Sequence, residues 1–341
     1  MSPEDQSHER YSRQTRFSGW GESGQQRLAR STAAIVGCGA LGAFQAGALV
    51  RAGLGRLLLI DRDYVELSNL QRQWLYTEAD AADSLPKAAA AARHLAAINS
   101  TVRIDPHIAD LTPANIDDLL DGADIVLDAT DNFETRYLVN DWCVTRALPW
   151  IYGGAVGSYG LAMPILPGRS ACFECIYPEP PSGTQPTCET AGVVNTITAI
   201  VAAWQTSLAF RILTGAGEVE PRITTFDVWT GQTRQIAMPP RNPDCPACGR
   251  RTCRHLSGEG RPPISLCGRN AVQIHDRKRP IDLATLAQTL APLGQVRENG
   301  FALRFTAPPY DLTIFPDGRA IIKGTTDPAL ARSLYSRYIG N

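Results

Sequence analysis

The sequence lacks the excess of positive charge that would hold nucleic acid or an anionic membrane by long-range attraction. Its 341 residues include 33 Lys and Arg against 34 Asp and Glu, so the net charge is −1. An apolar signal-peptide core is also missing, because residues 1–14 are densely charged. We therefore expect a cytoplasmic protein that binds neither nucleic acid nor a membrane.

Continuous apolar runs of membrane-spanning quality are missing as well. Glycines interrupt the uncharged stretch at residues 31–50, and Asn, Thr, Gln and Ser interrupt the one at 190–210, so we expect both to be buried elements of a soluble fold. The 9 cysteines are an odd number, which argues against a disulfide framework and favours metal or thiol chemistry. The five histidines share no spacing with an acid or a nucleophilic serine, so no catalytic triad is expected.

What is present is a regular alternation of apolar strands and helices. Strands and helices are predicted to alternate at residues 33–36, 41–52, 56–60, 87–98, 102–106, 114–120 and 124–128. Thr112 is the expected N-cap of the helix at 114–120. This order predicts an α/β fold with a Rossmann-like, doubly wound and largely parallel sheet.

After residue 150 the sequence is richer in Gly, Pro and aromatic residues. Strands are expected at 161–166 and 223–228 around the uncharged helix, and a Pro-, Cys- and Arg-rich loop at 239–263 marks a boundary. Beyond this loop we predict strands at 271–275, 301–305 and 312–315, a hairpin turned at Asp317 and Gly318, and helices at 283–293 and 329–338. The tail is therefore predicted to form a small C-terminal α+β domain.

A glycine-rich turn joins the first predicted strand to the first helix. Gly37, Gly39 and Gly42 have the spacing that brings backbone N–H groups and a helix N-terminus against a phosphate. Asp61 ends the next strand, where a carboxylate would reach ribose hydroxyls. This pattern predicts a nucleotide site, and by itself it would indicate NAD.

The residues that follow Asp61 favour a triphosphate over a dinucleotide. Asn69, Arg72 and Lys87 are expected to converge on the glycine-rich loop and to form a cationic cradle. An NAD-dependent oxidoreductase would use the glycines and Asp61 but would leave these three residues unexplained. A non-catalytic scaffold that holds a nucleotide remains a further alternative.

Two Cys-x-x-Cys pairs predict one structural Zn²⁺ site. The pairs are Cys172 with Cys175 and Cys245 with Cys248. Four thiolates at this spacing fit a closed tetrahedral site. Cys253 and His255 lie just beyond as spare ligands, which we expect to be bystanders.

Together these features resemble the ThiF/MoeB adenylyltransferases, bacterial relatives of the ubiquitin-activating enzymes. The resemblance rests on the residues at 10–14, 61–73, 128–132 with Arg136, and 187–193, and on the two cysteine pairs. It implies an ATP-dependent enzyme that activates the C-terminal Gly-Gly carboxylate of a small β-grasp sulfur-carrier protein. The acyl-adenylate would then accept sulfur.

The resemblance also implies a role for each site residue. Asp61 would hold the ribose, Asp131 would bind Mg²⁺, and Arg13 would reach the triphosphate from the other subunit of a homodimer. The remaining nucleotide contacts would come from Gly37, Gly39, Gly42, Asp63, Asn69, Arg72, Lys87 and Asn132. Attack on the α-phosphorus develops charge that Mg²⁺ and fixed cations can neutralise, so the implied roles are chemically coherent.

Sulfur transfer to the acyl-adenylate requires a nucleophile and a sulfur donor. Cys188 precedes the uncharged helix, whose N-terminus would lower the pKa of the thiol, so the residue is a candidate nucleophile, although an inert loop cysteine is the alternative. The tail has no cysteine after Cys267, so we expect an external sulfur donor.

The predicted segments are a helical dimer arm at 1–30, an ATP-binding adenylation domain with the zinc site at 31–255, and an accessory domain at 264–341. The pathway served by the carrier stays open.

Overall fold

The computed structural model describes residues 3–180, 190–258, 265–266, 271–274 and 280–340. The chain forms two compact units, Met1–Glu259 and Gly260–Asn341. Each unit has its own sheet and its own hydrophobic core.

The first unit is built on a sheet of eight strands. Its elements are α1 (Pro3–Thr15), α2 (Gly21–Leu28), β1 (Thr32–Val36), α3 (Ala40–Ala52), β2 (Arg56–Ile60), a 3₁₀ helix (Leu67–Asn69), α4 (Glu78–Ala82), α5 (Lys87–Ile98), β3 (Arg103–His107), α6 (Ile116–Leu119), β4 (Ile125–Asp128), α7 (Phe133–Arg146), β5 (Trp150–Val156), β6 (Tyr159–Ile165), α8 (Phe173–Ile176), α9 (Asn195–Thr214), β7 (Arg222–Asp227) and β8 (Gln232–Ala237). The strand order is β3-β2-β1-β4-β5-β6-β7-β8. The first five strands in this order, from β3 through β2, β1 and β4 to β5, are parallel to one another. Strands β6, β7 and β8 are each antiparallel to the preceding strand. The prediction of a Rossmann-like, largely parallel sheet is confirmed.

Helices cover both faces of this sheet because successive side chains of its buried strands alternate between two cores. On β1, Ala33 and Ile35 belong to the cluster that includes residues of α3, α5 and α9. Their neighbours Ala34 and Val36 belong to the cluster on the other face, which includes Trp142 of α7. Strands β1, β2 and β4 are therefore buried on both faces, and their polar residues lie at the strand ends.

The uncharged stretch near residue 200 forms α9. Within the described ranges, this is the one helix that is long and apolar enough to cross a bilayer by length and composition. Half of its most apolar 18-residue stretch is buried inside the protein. It packs against α3 and against strands β5 and β6. The expectation that this stretch is a buried element of the fold agrees with these contacts.

Two local predictions for the first unit were wrong. The helix expected at 114–120 is only α6, and its N-cap is Asn115 rather than Thr112. The reason is a turn in which the Thr112 N–H donates to Asn115 Oδ1 (2.8 Å) and the Asn115 N–H donates to the Thr112 carbonyl (3.1 Å). In addition, strands β5 and β8 were not predicted. All six residues of β8 are exposed, so no apolar pattern marks this edge strand.

The second unit is a small antiparallel sheet with two helices. Its elements are β9 (Ser265–Leu266), β10 (Ala271–Ile274), α10 (Leu283–Leu290), β11 (Gln295–Glu298), β12 (Leu303–Ala307), β13 (Tyr310–Ile314), β14 (Ala320–Lys323) and α11 (Pro328–Tyr338). The strand order is β11-β12-β13-β14-β10-β9. Strands β13 and β14 form the predicted hairpin, and Gly318 adopts a positive φ of 88° at its turn. The predicted α+β character of the tail is confirmed.

Candidate active site

The glycine-rich loop lies between β1 and α3, and its three glycines serve different purposes. Gly37 has a φ of +95°, and a Cβ on it would lie 2.5 Å from the carbonyl oxygen of Ala129. A Cβ on Gly42 would lie 1.9 Å from the carbonyl oxygen of Gly37. At Gly39, the N-cap of α3, the nearest atom to such a Cβ is 3.8 Å away. The first and third glycines therefore permit packing, and the second leaves the helix N-terminus open to a ligand.

Asp61 connects the end of β2 to this loop. Its Oδ2 accepts the Cys38 N–H (2.6 Å), and its Oδ1 accepts the Asp63 N–H (2.7 Å). Burial raises the pKa of Asp61, and the positive charge of Lys87 opposes that rise. Each carboxylate oxygen can still accept a second donor, such as a ribose hydroxyl.

The predicted phosphate contacts lie on the segment that returns from Asp61 to α5. Lys87, the first residue of α5, is buried, and its Nζ lies 3.3 Å from Asp63 Oδ2. Asn69 is buried and accepts the Glu66 N–H (3.2 Å). Arg72 is partly exposed and donates from Nη1 to the Ser68 carbonyl (2.9 Å).

A tyrosine that sequence reasoning missed holds this segment against the loop. The Tyr76 hydroxyl lies 2.7 Å from the Cys38 carbonyl oxygen and 3.2 Å from the Lys87 carbonyl oxygen, and it can donate to either. Burial raises the pKa of Tyr76 well above its usual value, so the hydroxyl keeps its proton. The loop and the first turn of α5 are thus joined through one side chain. The only sequence signal is a tyrosine four residues after Arg72, which identifies nothing without the fold.

Asp131 lies on the other side of the glycine-rich loop. It is exposed, three residues beyond the end of β4, next to the Ala129 carbonyl that contacts Gly37. The following residue, Asn132, is the N-cap of α7, and its side-chain oxygen accepts the Thr135 N–H (2.8 Å). The fold uses this oxygen, and a nucleotide contact from Asn132 stays a prediction.

The turn that carries Asp131 is held by an arginine to which the sequence had assigned no role. Arg136 is buried, its Nε lies 3.1 Å from Asp128 Oδ2, and its Nη2 donates to the Thr130 carbonyl (2.7 Å). The guanidinium also lies 4.9 Å from the ring centre of Tyr152. The contacts of Arg136 with Asp128, Thr130 and Tyr152 therefore fix the end of β4 next to Asp131, the candidate metal ligand.

Arg13 is not brought to the site of its own chain. It is exposed in the last turn of α1, and its neighbour Gln14 donates from Nε2 to the Ala52 carbonyl (2.9 Å) at the C-terminal end of α3. The glycine-rich loop is at the opposite end of α3. A helix of 13 residues is roughly 18 Å long at 1.5 Å per residue, more than an arginine side chain spans.

The four paired cysteines form one cluster. Their sulfur atoms all lie within 4.8 Å of one another, and the sulfur–sulfur distances include 3.8 Å for Cys172 to Cys175, 3.6 Å for Cys172 to Cys245 and 3.4 Å for Cys175 to Cys248. A tetrahedral Zn²⁺ with sulfur ligands at about 2.3 Å separates the sulfur atoms by about 3.8 Å. The four thiols therefore fit a zinc ion.

The expected bystanders lie outside this cluster. The His255 ring stacks on Tyr137 with centroids 4.7 Å apart, and its backbone N–H donates to Asp141 Oδ2 (2.9 Å). Cys253 is buried, and burial raises its pKa to about 11. Cys188 and Cys267 lie outside the described residues, so the proposed nucleophile stays a prediction.

Comparisons with known proteins point to one family. The profile of the ThiF family matches residues 11–247. The chain is 43% identical over 335 residues to the sulfur carrier protein ThiS adenylyltransferase of Bacillus subtilis (strain 168), an alignment that covers 97% of this chain and 99% of that protein. It is 38% identical over 248 residues to the sulfur carrier protein adenylyltransferase of Thermus thermophilus, covering 71% and 90% of the two chains.

A solved structure and a longer relative complete the comparison. The crystal structure of E. coli MccB with ATP has a TM-score of 0.61 and 22% identity over 70% of this chain and 74% of that chain, which is a likeness of fold. The adenylyltransferase and sulfurtransferase MOCS3 of Sus scrofa is 40% identical, but the match covers only 53% of that protein. The Bacillus alignment, in contrast, extends through the second unit.

Proposed function

Since this chain belongs to the ThiF family, we propose that it is an ATP-dependent adenylyltransferase whose substrate is the C-terminal carboxylate of a small, ThiS-like sulfur carrier ending in Gly-Gly. The observation that carries the proposal is the near-full-length similarity to a ThiS adenylyltransferase. The glycine-rich loop, Asp61 and Lys87 support it, because they join an open helix N-terminus to a ribose acceptor and a cation. An oxidoreductase would not need the cysteine cluster or this lysine.

The reaction joins the carrier to the nucleotide. A carboxylate oxygen of the carrier forms a bond to the α-phosphorus of ATP, the bond from that phosphorus to the bridging oxygen breaks, and pyrophosphate leaves with the electron pair. Lys87 turns from Asp63 to the phosphates, and Arg72 joins it, so that fixed cations meet the developing charge. A sulfur nucleophile supplied by an external donor then forms a bond to the acyl carbon of the adenylate, the bond from that carbon to the phosphate oxygen breaks, and AMP leaves with the electron pair. Cys188 is a candidate thiol for this step.

The proposal includes two metal ions. Asp131 offers an exposed carboxylate beside the loop, and an oxygen ligand of this kind suits Mg²⁺, which would neutralise phosphate charge. The four clustered cysteines would hold a structural Zn²⁺ that links the segment after β6 to the segment after β8. The zinc would stabilise the fold and take no part in the chemistry.

The proposal also includes a homodimer with composite sites. Arg13 is expected to reach the phosphates of the partner chain, and the length of α3 between Arg13 and its own glycine-rich loop favours action in trans. We further propose that the enzyme acts in the cytoplasm. Its apolar helix α9 packs within the first unit.

Exchange of labelled pyrophosphate into ATP tests the proposed function. We expect exchange that requires a carrier ending in Gly-Gly, because adenylation is reversible while pyrophosphate is present. A carrier with its last glycine removed is the matched control. Tight NADH binding together with no exchange, measured with the ThiS protein from the same cells, would overturn the proposal in favour of an oxidoreductase.

A further inference from the structure

Arg62 lies between two residues of the candidate site, and the proposed chemistry gives it no role. Its Nη1 lies 3.0 Å from Asp110 Oδ1, and its Nε lies 4.0 Å from Asp63 Oδ1. The side chains of Arg62 and Asp110 are each only 15% exposed. Two carboxylates and the surrounding protein therefore fix the guanidinium between the loop after β2 and the loop after β3.

The order of the strands gives the direction in which a bound nucleotide extends. Phosphates over the glycine-rich loop lie beyond β1, and a ribose at Asp61 lies beyond β2. In the sheet order β3-β2-β1, the next step in the same direction reaches the end of β3. The Asp61 N–H donates to the His107 carbonyl (3.1 Å), so the ends of β2 and β3 meet at one level. A base attached to that ribose lies where Arg62 and Asp110 bridge the two loops.

We propose that Arg62, held in place by Asp110, binds the adenine base of ATP and so sets the affinity for the nucleoside part rather than for the triphosphate. This inference rests on the proposed function. A guanidinium is planar and weakly hydrated, and it stacks on aromatic rings more readily than an ammonium does.

The neighbouring charges keep Arg62 at the base and leave the phosphates to Lys87. Asp63 lies between the two cations, with Lys87 Nζ 3.3 Å from its Oδ2. The Tyr76 hydroxyl lies within hydrogen-bond distance of both the Lys87 and the Cys38 carbonyl oxygens, so Lys87 is a cation beside the glycine-rich loop. Arg62 faces the other way, toward Asp110.

Calorimetric titration of the full chain with ATP and with inorganic triphosphate, without a carrier, separates the two ends of the nucleotide. Arg62→Ala should weaken ATP binding about tenfold to thirtyfold, the range of a largely desolvated cation–π contact. Arg62→Lys keeps the charge but loses the planar group, and it should lower the affinity for ATP by about threefold or more. The affinity of Arg62→Lys for inorganic triphosphate should equal that of the wild type.

Arg56 provides the matched control. Its Nε lies 2.6 Å from Asp105 Oδ2, an ion pair that joins the same two strands near the start of β2. Arg56→Ala should bind ATP as the wild type does. The inference is overturned if Arg62→Lys binds ATP like the wild type, or if both Arg62 variants lose ATP and triphosphate in equal measure. A folded wild-type chain that binds no ATP would overturn the proposed function itself, an outcome distinct from either of these.

Discussion

Arg136 and Asp128 form a buried ion pair, with Nε of the arginine 3.1 Å from Oδ2 of the aspartate, where β4 ends and the turn to α7 begins. Burial raises the pKa of Asp128, and the guanidinium opposes that rise. The charge on Asp128 therefore depends on Arg136. Because Asp128 also accepts the Thr130 N–H (2.9 Å), the pair fixes the turn that leads to Asp131.

Removing one member of this pair should cost more stability than removing both charges. We expect Arg136→Met to lower the free energy of unfolding by about 3–5 kcal/mol, because it leaves an uncompensated buried carboxylate. The double variant with Asp128→Asn should lose less than Arg136→Met alone. Urea unfolding of both variants measures the difference. A double variant less stable than Arg136→Met would contradict this expectation, because it would show that the bonds from Thr130 to the Asp128 carboxylate stabilise the turn by more than its unpaired charge costs.

The parallel half of the sheet was predictable because its strands and helices carry their own signals. Strand β2 was predicted at its observed bounds, and so was α5, where Pro86 precedes a run of alanines. Glycine spacing located the loop before α3 for the same reason, since only glycine tolerates the close backbone contacts at positions 37 and 42. The signals for these elements lie within the elements' own sequences, so sequence patterns can predict them.

The parts that escaped prediction depend on partners distant in the chain. The exposed strand β8 exists because β7 pairs with it, and nothing in its own sequence alternates. Tyr76 acquires its role from the Cys38 carbonyl, 38 residues earlier. Arg136 was part of the recognised pattern, but its bond to Asp128 appears only when β4 and α7 are folded together.

The candidate magnesium ligand can be tested by one substitution. Asp131→Ala should lower carrier-dependent pyrophosphate exchange by on the order of 10²–10³, because it removes a ligand for transition-state charge stabilisation. The free energy of unfolding should change by less than about 0.5 kcal/mol, since the side chain is exposed. Asp121→Ala, an exposed aspartate before the start of β4, is the control and should retain full exchange. Near-normal exchange by the Asp131 variant would exclude it as the ligand.

The cysteine cluster predicts about one Zn²⁺ per chain by elemental analysis. Cys172→Ser should lower both the zinc content and the melting temperature, because metal binding contributes to the free energy of folding. Cys143→Ser is a matched control, since Cys143 is also buried but lies outside the cluster. Full zinc occupancy in the Cys172 variant would mean that another residue, such as Cys253 or His255, had replaced the lost thiolate.

Asp141 predicts a pH-dependent stability. Burial raises its pKa to about 6 in the folded protein, whereas an unfolded aspartate titrates near 4. The folded state therefore holds the proton more tightly, and the contribution of this group to stability falls as pH rises from about 4 to about 6. Asp141→Asn retains an acceptor oxygen for the His255 N–H but does not titrate.

Relative to wild type, Asp141→Asn should therefore gain about 2–3 kcal/mol of stability between pH 4 and pH 7. Urea unfolding of both proteins at several pH values gives this difference and cancels the other titrating groups. A difference that does not change with pH would mean that folding does not change the pKa of Asp141.

The position of Arg13 predicts that two inactive chains can restore activity together. Arg13→Ala and Asp131→Ala should each abolish pyrophosphate exchange. If Arg13 acts in trans, a mixed dimer contains one intact composite site and one site that lacks both residues. Random subunit exchange should then recover about a quarter of wild-type activity, since half of the dimers are mixed and each has one working site of two.

The control for this experiment mixes Asp131→Ala with Lys87→Ala, two variants expected to damage the site of the same chain. Such a mixture contains no intact site in any dimer and should stay inactive if Lys87 and Asp131 act in one site, as their common position around the glycine-rich loop predicts. Subunit exchange must be verified by mass spectrometry in both mixtures. If exchange is complete and the Arg13 mixture also stays inactive, Arg13 serves its own chain, and α1 must then leave the C-terminal end of α3 to reach the phosphates.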